Sequence, residues 1–221
     1  MKKITYSILL LIGVTICVSC SKEGVNYSCN ESTNKWVKAN LDQIQTMNVK
    51  DWYSLDDTLK IPVYRAFTHK QRIDYWRLRF KNIKLMKWTK EELKHIEKAE
   101  DFFNAHLDFF SDQKLTDNQL DILELFGYVW MSEGIEKFGW TPQTGNLIIG
   151  TGFNIQTSKN SIDSTLLRTP VPKLNCHCHA GNIVFHPCYA DWRSCVEADC
   201  KIPDTVGCGL FMSEVCDGLC D

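Results

Sequence analysis

Eight cysteines lie in the last 46 residues of this 221-residue chain, a density far above that of ordinary proteins. We call residues 176–221 the Cys-rich segment; its cysteines are Cys176, Cys178, Cys188, Cys195, Cys200, Cys208, Cys216 and Cys220. Closely spaced thiols do two kinds of structural chemistry: they oxidise in pairs to disulfides, or they bind zinc as thiolates. Either chemistry would stabilise a segment that is too short to bury a large apolar core.

Imidazole ligands that could complete a zinc site stand at His177, His179 and His186. Zinc sites usually pair cysteines across two to four residues within one knuckle. Two pairs approach that spacing: Cys195 with Cys200, and Cys216 with Cys220. In an exported protein the thiols would oxidise first, so we predict disulfides among the eight, with no metal and no cofactor. The pairing stays open, because eight cysteines allow many connectivities.

The first 20 residues have the pattern of an export signal. Two lysines precede a largely apolar stretch over residues 6–18, and a small residue, Ser19, precedes Cys20. The sequence Cys-Val-Ser-Cys at residues 17–20 resembles a bacterial lipobox, in which the last cysteine receives a diacylglycerol and becomes the new N-terminus. We therefore predict lipidation of Cys20 and anchoring to a membrane through an N-terminal lipid. The alternative is a plain signal peptide in which Cys20 is incidental.

The residues after Cys20 bear on location. Ser21, and not an aspartate, follows the cysteine. By resemblance to Gram-negative lipoproteins, this favours the outer membrane, without indicating the periplasmic or the surface face. Residues 21–35 are polar and predict a tether between the lipid and the first helix.

One cysteine, Cys29, stands alone in this tether. Because Cys17 leaves with the signal peptide and Cys20 carries the lipid, nine of the 11 cysteines remain. Eight of them pair with each other at the lowest entropic cost, since the loops between them are short. We predict that Cys29 is an exposed, unpaired thiol that is free to form an intermolecular disulfide. The alternative is that Cys29 pairs with the Cys-rich segment and leaves Cys176 or Cys178 free.

Apolar side chains recur at helical spacing over residues 36–140, which predicts a bundle of four or five helices. Start and stop signals stand at Thr68, at Thr89 with Glu92, at Thr116 with Gln119, and at Gly139. Pro62 fits the first turn of a short helix that runs to Phe67, because its missing N–H costs nothing there.

Residues 141–175 differ in character from the helical stretch. Gly145 and Gly150 flank three aliphatic residues, and apolar residues then alternate with polar ones, which predicts a hairpin-like segment followed by a linker. The predicted fold class is mainly α: an N-terminal helical bundle followed by a small disulfide-rich C-terminal module with little regular structure.

Several function classes find no support in the sequence. The formal net charge of −2 does not indicate the basic surface that nucleic-acid binding requires. There is no glycine-rich phosphate loop, nucleophile elbow or paired-histidine zinc motif. His69, His95 and His106 stand apart from one another, and a structural role is favoured for each. We predict no catalytic residue and no enzymatic activity.

The cysteine spacing resembles that of a known family. The residues that carry the resemblance are Cys176-His177-Cys178, Cys188, Cys195, Cys200, Val206-Gly207-Cys208-Gly209 and Cys216-Asp217-Gly218-Leu219-Cys220. Together they resemble the C-terminus of bacteriocin fulvocin C-related proteins. The helical part is also similar, at Pro62, Tyr64-Arg65-Ala66-Phe67, Arg72 and Trp76. The resemblance implies a lipoprotein that bears a bacteriocin-like module.

Two functions follow as expectations. The first is interbacterial antagonism, with the module as effector against a target cell. The Cys-rich segment has two basic and seven acidic residues, a charge of −5, so action on an anionic bilayer would need a receptor or apolar insertion. Candidates for insertion are Ile183-Val184-Phe185, Trp192 and Leu210-Phe211-Met212, although filling a core is their commoner use. The alternative is a non-enzymatic binding lipoprotein that presents the module to an envelope receptor.

The lipid anchor gives a direct prediction. Replacing Cys20 with alanine removes the thiol at the position that a lipobox acylates, so the protein should move from the membrane fraction to the periplasm or the medium. Detergent phase partitioning of wild type and Cys20→Ala measures this. Equal partitioning of the two proteins would contradict the prediction, and Cys29→Ala is the matched control that should stay in the detergent phase.

Overall fold

The computed structural model describes residues 25–111, 114–150, 195–197 and 206–220. The described part is mainly α, as predicted. Its helices are α1 (Glu31–Ala39), α2 (Leu41–Thr46), α3 (Val49–Trp52), α4 (Asp57–Arg65), α5 (His69–Lys84), α6 (Lys90–Ala105), α7 (Asp117–Phe138) and α8 (Pro142–Ile149), with a 3-10 turn, η1 (Leu107–Phe110), after α6. We call α1 to α8 the helical region.

The predicted start signals of the three longest helices are confirmed. Thr68, Thr89 and Thr116 each accept a hydrogen bond from the backbone N–H three residues on, and the glutamine or glutamate there bonds back to the cap N–H. These reciprocal bonds satisfy two donors that a helix start otherwise leaves open. Gly139 ends α7 in the left-handed conformation, as its position predicts.

Two predicted helix starts are wrong. The polar stretch 21–35 is not a tether throughout, because Asn30 accepts a bond from Thr33 N and begins α1 at Glu31. Pro62 lies inside α4 and not in its first turn, since Asp56 caps that helix six residues earlier. The aspartate cap contributes about 1 kcal/mol and a proline inside a helix costs about 3 kcal/mol, so the burial of Pro62, Val63 and Tyr64 in the core must offset the difference.

The hairpin predicted after residue 141 is also wrong over residues 142–149, which form α8. Thr141 caps this helix and Pro142 occupies its first position, a combination that favours a helix start. At the other end, the buried guanidinium of Arg79 donates to three carbonyls of the last turn: Leu147 O at 2.6 Å, and Asn146 O and Ile148 O at 3.2 Å. A partner on α5, 67 to 69 residues away, therefore completes α8.

Helix α5 lies at the centre of the fold. It packs against α3, α6, α8 and η1. Its inner face contributes Tyr75, Trp76, Phe80 and Ile83, all of which are fully buried. A single apolar core joins side chains from α1 to α8, and it also includes Leu210, Phe211 and Met212 from the Cys-rich segment.

The described part of the Cys-rich segment consists of short strands. Strand β1 (Cys195–Glu197) pairs antiparallel with β4 (Gly218–Cys220), so that Cys195 stands opposite Cys220. Strand β2 (Val206–Cys208) pairs antiparallel with β3 (Glu214–Val215) across a 3-10 turn, η2 (Leu210–Met212). Among the residues described, no helix has the length and apolarity that crossing a membrane requires.

His95 of α6 is buried against α7. Its Nε2–H donates to Trp130 O at 2.8 Å, and its ring stacks on the Trp130 indole with 5.1 Å between centroids. Burial lowers the pKa of His95, while its bond to Trp130 and the Glu133 carboxylate, 3.5 Å from Nδ1, oppose that shift. The neutral ring is therefore the form that the folded protein holds.

This environment predicts a pH dependence. Because the pKa of His95 is lower in the folded chain than its ordinary value of about 6.5, the unfolded chain binds the proton first. The free energy of unfolding should therefore fall as pH decreases through about 6.5. Denaturant titrations between pH 7.5 and 5 should show a smaller fall for His95→Gln than for wild type. Equal slopes for His95→Gln and wild type would contradict the prediction.

Candidate functional site

The best-defined feature of the Cys-rich segment is the hairpin β2–η2–β3. A disulfide joins Cys208 to Cys216, eight residues apart, with 5.3 Å between their Cα atoms. Cross-linking a loop of this length contributes about 2–3 kcal/mol by restricting the unfolded chain. Both half-cystines are fully buried. The disulfide therefore bridges the two strands next to the five-residue turn and holds that turn between them.

The turn has an unusual backbone. Phe211 and Met212 both have positive φ, 52° and 53°, a conformation that costs non-glycine residues on the order of 1 kcal/mol each. The buried Glu214 carboxylate accepts a bond from Leu210 N–H at 2.9 Å, and Ser213 Oγ donates to Leu210 O at 2.7 Å. Gly209 must lack a side chain here, because a Cβ would collide with the Glu214 carboxylate. These polar contacts fix a turn that points its apolar side chains away from the strands.

Phe211, at the tip of the turn, occupies an aromatic pocket in the helical region and is fully buried. The rings whose centroids lie 5.2 to 6.4 Å from its own are those of Trp76, Phe80, Phe102, Phe103, Phe110 and Phe126. The Trp76 and Phe110 rings meet it edge to face, and the Phe102 and Phe126 rings lie nearly parallel to it. Both geometries are favourable for aromatic pairs. We call this pocket, from α5, α6, η1 and α7, the Phe211 seat.

Two consecutive hydrogen bonds connect the tip to the Phe211 seat. Trp76 Nε1 donates to the Tyr64 hydroxyl at 3.1 Å, and that hydroxyl donates to Phe211 O at 3.4 Å. Burial raises the pKa of Tyr64, so the hydroxyl keeps the proton that it donates. The carbonyl in the strained turn thus has a partner inside the apolar pocket, where an unpaired carbonyl would be costly.

Below the tip, strand β2 rests on Arg65 of α4. A Cβ on Gly207 would lie 3.2 Å from both Cγ and Nε of Arg65, so the strand approaches the arginine as closely as a glycine permits. Arg65 Nη1 donates to Tyr27 O at 2.9 Å. Burial lowers the pKa of Arg65 to about 10, and the nearby Cys29 sulfur opposes that shift. Arg65 therefore joins the chain before α1 to the hairpin.

The cysteines predicted from sequence divide as follows. Cys208 and Cys216 are bonded to each other, and Cys195 is also disulfide-bonded. Cys29 carries a free thiol, but the predicted exposure is wrong, because it is half-buried beside Arg65. Cys20, Cys176, Cys178, Cys188 and Cys200 lie outside the described residues. In the described ranges, no three His, Cys, Asp or Glu side chains are grouped as a metal would need.

The sequence did not indicate the seat itself. Tyr64, Arg65 and Trp76, which carry the helical part of the family resemblance, all contact or support the hairpin, and Arg72 donates to Arg65 O at 3.2 Å. Aromatic residues at helical spacing are also what any core requires, so the spacing alone could not assign them to a C-terminal tip.

Replacing Phe211 with alanine tests how much the packing of its ring in the Phe211 seat contributes to the free energy of unfolding. Phe211→Ala should lower the free energy of unfolding by about 3–5 kcal/mol, because it leaves a cavity lined by rings. Val196→Ala, at a side chain of the same segment that is 39% exposed, is the control and should change it by less than about 0.5 kcal/mol. Denaturant unfolding of the oxidised proteins measures both. Equal stabilities of Phe211→Ala and wild type would mean that the hairpin does not contribute to the core.

No family model, no curated protein and no solved structure matches this chain.

Proposed function

We propose that this protein is a non-enzymatic, lipid-anchored envelope protein in which a helical bundle holds the Cys-rich segment as a fixed binding module. The observation that carries the proposal is the burial of Phe211 in the aromatic seat. The tip of the segment is part of the core of the helical region, so the described hairpin and the helical region share one apolar core.

The energy needed to detach the tip supports a fixed module. Leu210, Phe211 and Met212 are all at least 99% buried. Exposing each of them costs about 1.5–3 kcal/mol, or on the order of 5–9 kcal/mol together. That is comparable with the whole stability of a typical domain, about 5–15 kcal/mol. Of the residues proposed for insertion, Leu210, Phe211 and Met212 are thus held where a bilayer does not reach them, whereas Ile183-Val184-Phe185 and Trp192 lie outside the described residues.

The other end of the segment supports presentation to a partner. Strand β1 is paired with β4, and Val196 and Glu197 on it are exposed. With the tip fixed in the bundle, disulfides and paired strands would hold this end rigid, which reduces the entropy lost on binding. The charge of −5 over the segment favours a receptor in the envelope with a basic surface.

A second candidate, a bacteriocin-like effector that is released from the bundle, has one observation in its favour. Phe211 and Met212 hold positive φ angles in the seated state. Residues held in this region store on the order of 1 kcal/mol each and are enriched at switch regions. Withdrawal of the tip would relieve that strain, although the gain is smaller than the cost of exposing the three apolar side chains.

The state of the protein on its own cells distinguishes these functions. We expect intact mass of the membrane-purified protein to show one chain that begins at a lipid-modified Cys20 and retains the Cys-rich segment. Culture medium should contain no C-terminal fragment and should not inhibit related strains. A fragment of about 46 residues in the medium with inhibitory activity would overturn the binding function in favour of the effector. Cys20→Ala, which should shed the whole chain, controls for passive loss from the membrane.

A further inference from the structure

The outer face of α5 and the connection after it are basic. From residue 75 to residue 90 the chain has no acidic residue and six basic ones. Arg79 is buried, and Lys84 Nζ bonds Glu100 Oε2 at 2.5 Å. The other four are exposed: Arg77, Lys81, Lys87 and Lys90. Among the described residues, no acidic side chain lies within ion-pair distance of these four, so this face has uncompensated positive charge on a chain of net charge −2.

Helical spacing places part of this charge beside an exposed leucine. Arg77, Lys81 and Leu85 follow one another in steps of four residues, so they lie along one face of α5. Leu85 caps the helix and is 79% exposed, more than any other large apolar side chain that the structure describes. Lys87 and Lys90 follow in the connection to α6 and in its first turn. We call these five side chains the α5 basic patch.

The connection between α5 and α6 holds Leu85 in its exposed position. Met86 N–H donates to Ile83 O at 2.9 Å, and Trp88 Nε1 donates to the same carbonyl at 2.8 Å. The Trp88 ring is turned towards Trp140, with 5.8 Å between centroids, whereas Leu85 is turned outwards. Leu85 is thus available for contact without any rearrangement. An apolar side chain among lysines suits the interface of a bilayer, where apolar groups reach the acyl chains and charges stay among the head groups.

We infer that the α5 basic patch rests on a bilayer of anionic phospholipid, with Leu85 among the first acyl carbons and the four basic groups among the phosphates. Each basic residue close to such a surface strengthens binding about fivefold. Burial of Leu85 adds an apolar contribution that salt does not screen. The inference rests on the proposed function for the protein's place at a membrane, and it names the face that the anchored protein turns to the lipid.

The proposed anchor keeps the protein close to the bilayer. Four residues lie between Cys20 and Val25, where the described chain begins, so Val25 is at most about 18 Å from the lipid-bearing residue. Just after Val25, the chain is bonded to the helical region, because Arg65 Nη1 donates to Tyr27 O at 2.9 Å. The length of chain available to the anchor is therefore less than half the length of a long flexible tether over residues 21–35.

The anchor and the α5 basic patch lie towards opposite ends of one helix. Arg72, in the first turn of α5, donates to Arg65 O at 3.2 Å, so the bonded start of the chain lies near the beginning of α5. Leu85 stands at the other end of the helix, about 24 Å away. Attachment at both ends would lay α5 along the bilayer, which a single anchor point does not require.

This orientation keeps the Phe211 seat off the lipid. Trp76 and Phe80, whose rings meet that of Phe211, are buried, and the residue after each is an exposed basic one. The seat and the α5 basic patch therefore lie on different sides of α5. The hairpin that fills the seat belongs to a segment with a charge of −5, which an anionic surface would repel.

The charge dependence is tested by co-sedimentation with vesicles. The protein is the lipid-free mature chain, Ser21 to Asp221, exported behind a cleavable signal peptide. We expect it to bind vesicles of phosphatidylethanolamine and phosphatidylglycerol in equal amounts, and to bind vesicles of phosphatidylcholine far more weakly. Arg77→Gln with Lys81→Gln should weaken binding to the anionic vesicles about 30-fold. The matched control replaces two exposed lysines outside the patch and should retain wild-type binding: Lys50→Gln with Lys114→Gln.

The apolar contact is tested in the same assay. Leu85→Ser should weaken binding to the anionic vesicles about tenfold, because it removes the side chain that enters the acyl region. Leu125→Ser, at a leucine of α7 that is 66% exposed, is the control and should bind like the wild type. Circular dichroism should show all variants folded, since every replaced side chain is exposed.

Four results would overturn the inference. They are equal binding to the two kinds of vesicle, no binding to either, as expected if the patch instead meets an acidic protein, an equal loss of binding in the control pair of lysine variants, and a loss in Leu125→Ser without one in Leu85→Ser. The last result would assign the lipid contact to α7. Because the tested chain has no lipid, none of these results depends on Cys20, and failure of the anchor is read separately from the partitioning of Cys20→Ala.

Discussion

Helix ends inside a protein leave carbonyl oxygens that water cannot reach, and the fold depends on how α5 satisfies them. Arg79 donates to the last turn of α8, and Arg72 donates to Ser111 O after η1 and to Arg65 O at the end of α4. Both guanidinium groups are buried. A cation at a helix C-terminus is stabilised by the dipole of that helix, which offsets part of the cost of removing the charge from water. Two arginines seven residues apart on α5 thus set the positions of three other elements.

The same helix positions the hairpin. Trp76, between the two arginines, meets the Phe211 ring and donates to the Tyr64 hydroxyl that binds Phe211 O. Arg72 also donates a hydrogen bond to Arg65 O, and the Arg65 side chain lies directly against Gly207 of β2. A displacement of α5 would therefore reach the hairpin through both its apolar tip and its strand. The Cys-rich segment is joined to the helical region by contacts that are specific in position as well as apolar in character.

Several features that depend on neighbouring residues were predictable from sequence, although the local caps at Asn30, Asp56 and Thr141 were missed, and features that depend on distant residues were not predictable. Thr89 with Glu92, Thr116 with Gln119, and Gly139 act within one helical turn, so their signals are local and the helix boundaries there were correct. Helix α8 was mistaken for a hairpin because its stabilising partner, Arg79, lies more than 60 residues earlier. The cysteine density correctly indicated disulfide bonding, but no spacing rule could show that Phe211 fills a pocket built from four helical elements. Cys29 was expected to be exposed because nothing local shows that Arg65 lies next to it.

The bond from Tyr64 to Phe211 spans 147 positions of the chain. A core that is completed by so distant a contact folds late. The long intervening chain must lose conformational entropy before the contact forms and offsets that loss. Synthesis also delivers Phe211 after every helix that surrounds it. Until then the aromatic pocket exposes apolar surface to solvent, and chaperones and proteases recognise exposed apolar surface of this kind. A chain that stops short of residue 211 would carry helices α1 to α8 and still be handled by the cell as incompletely folded.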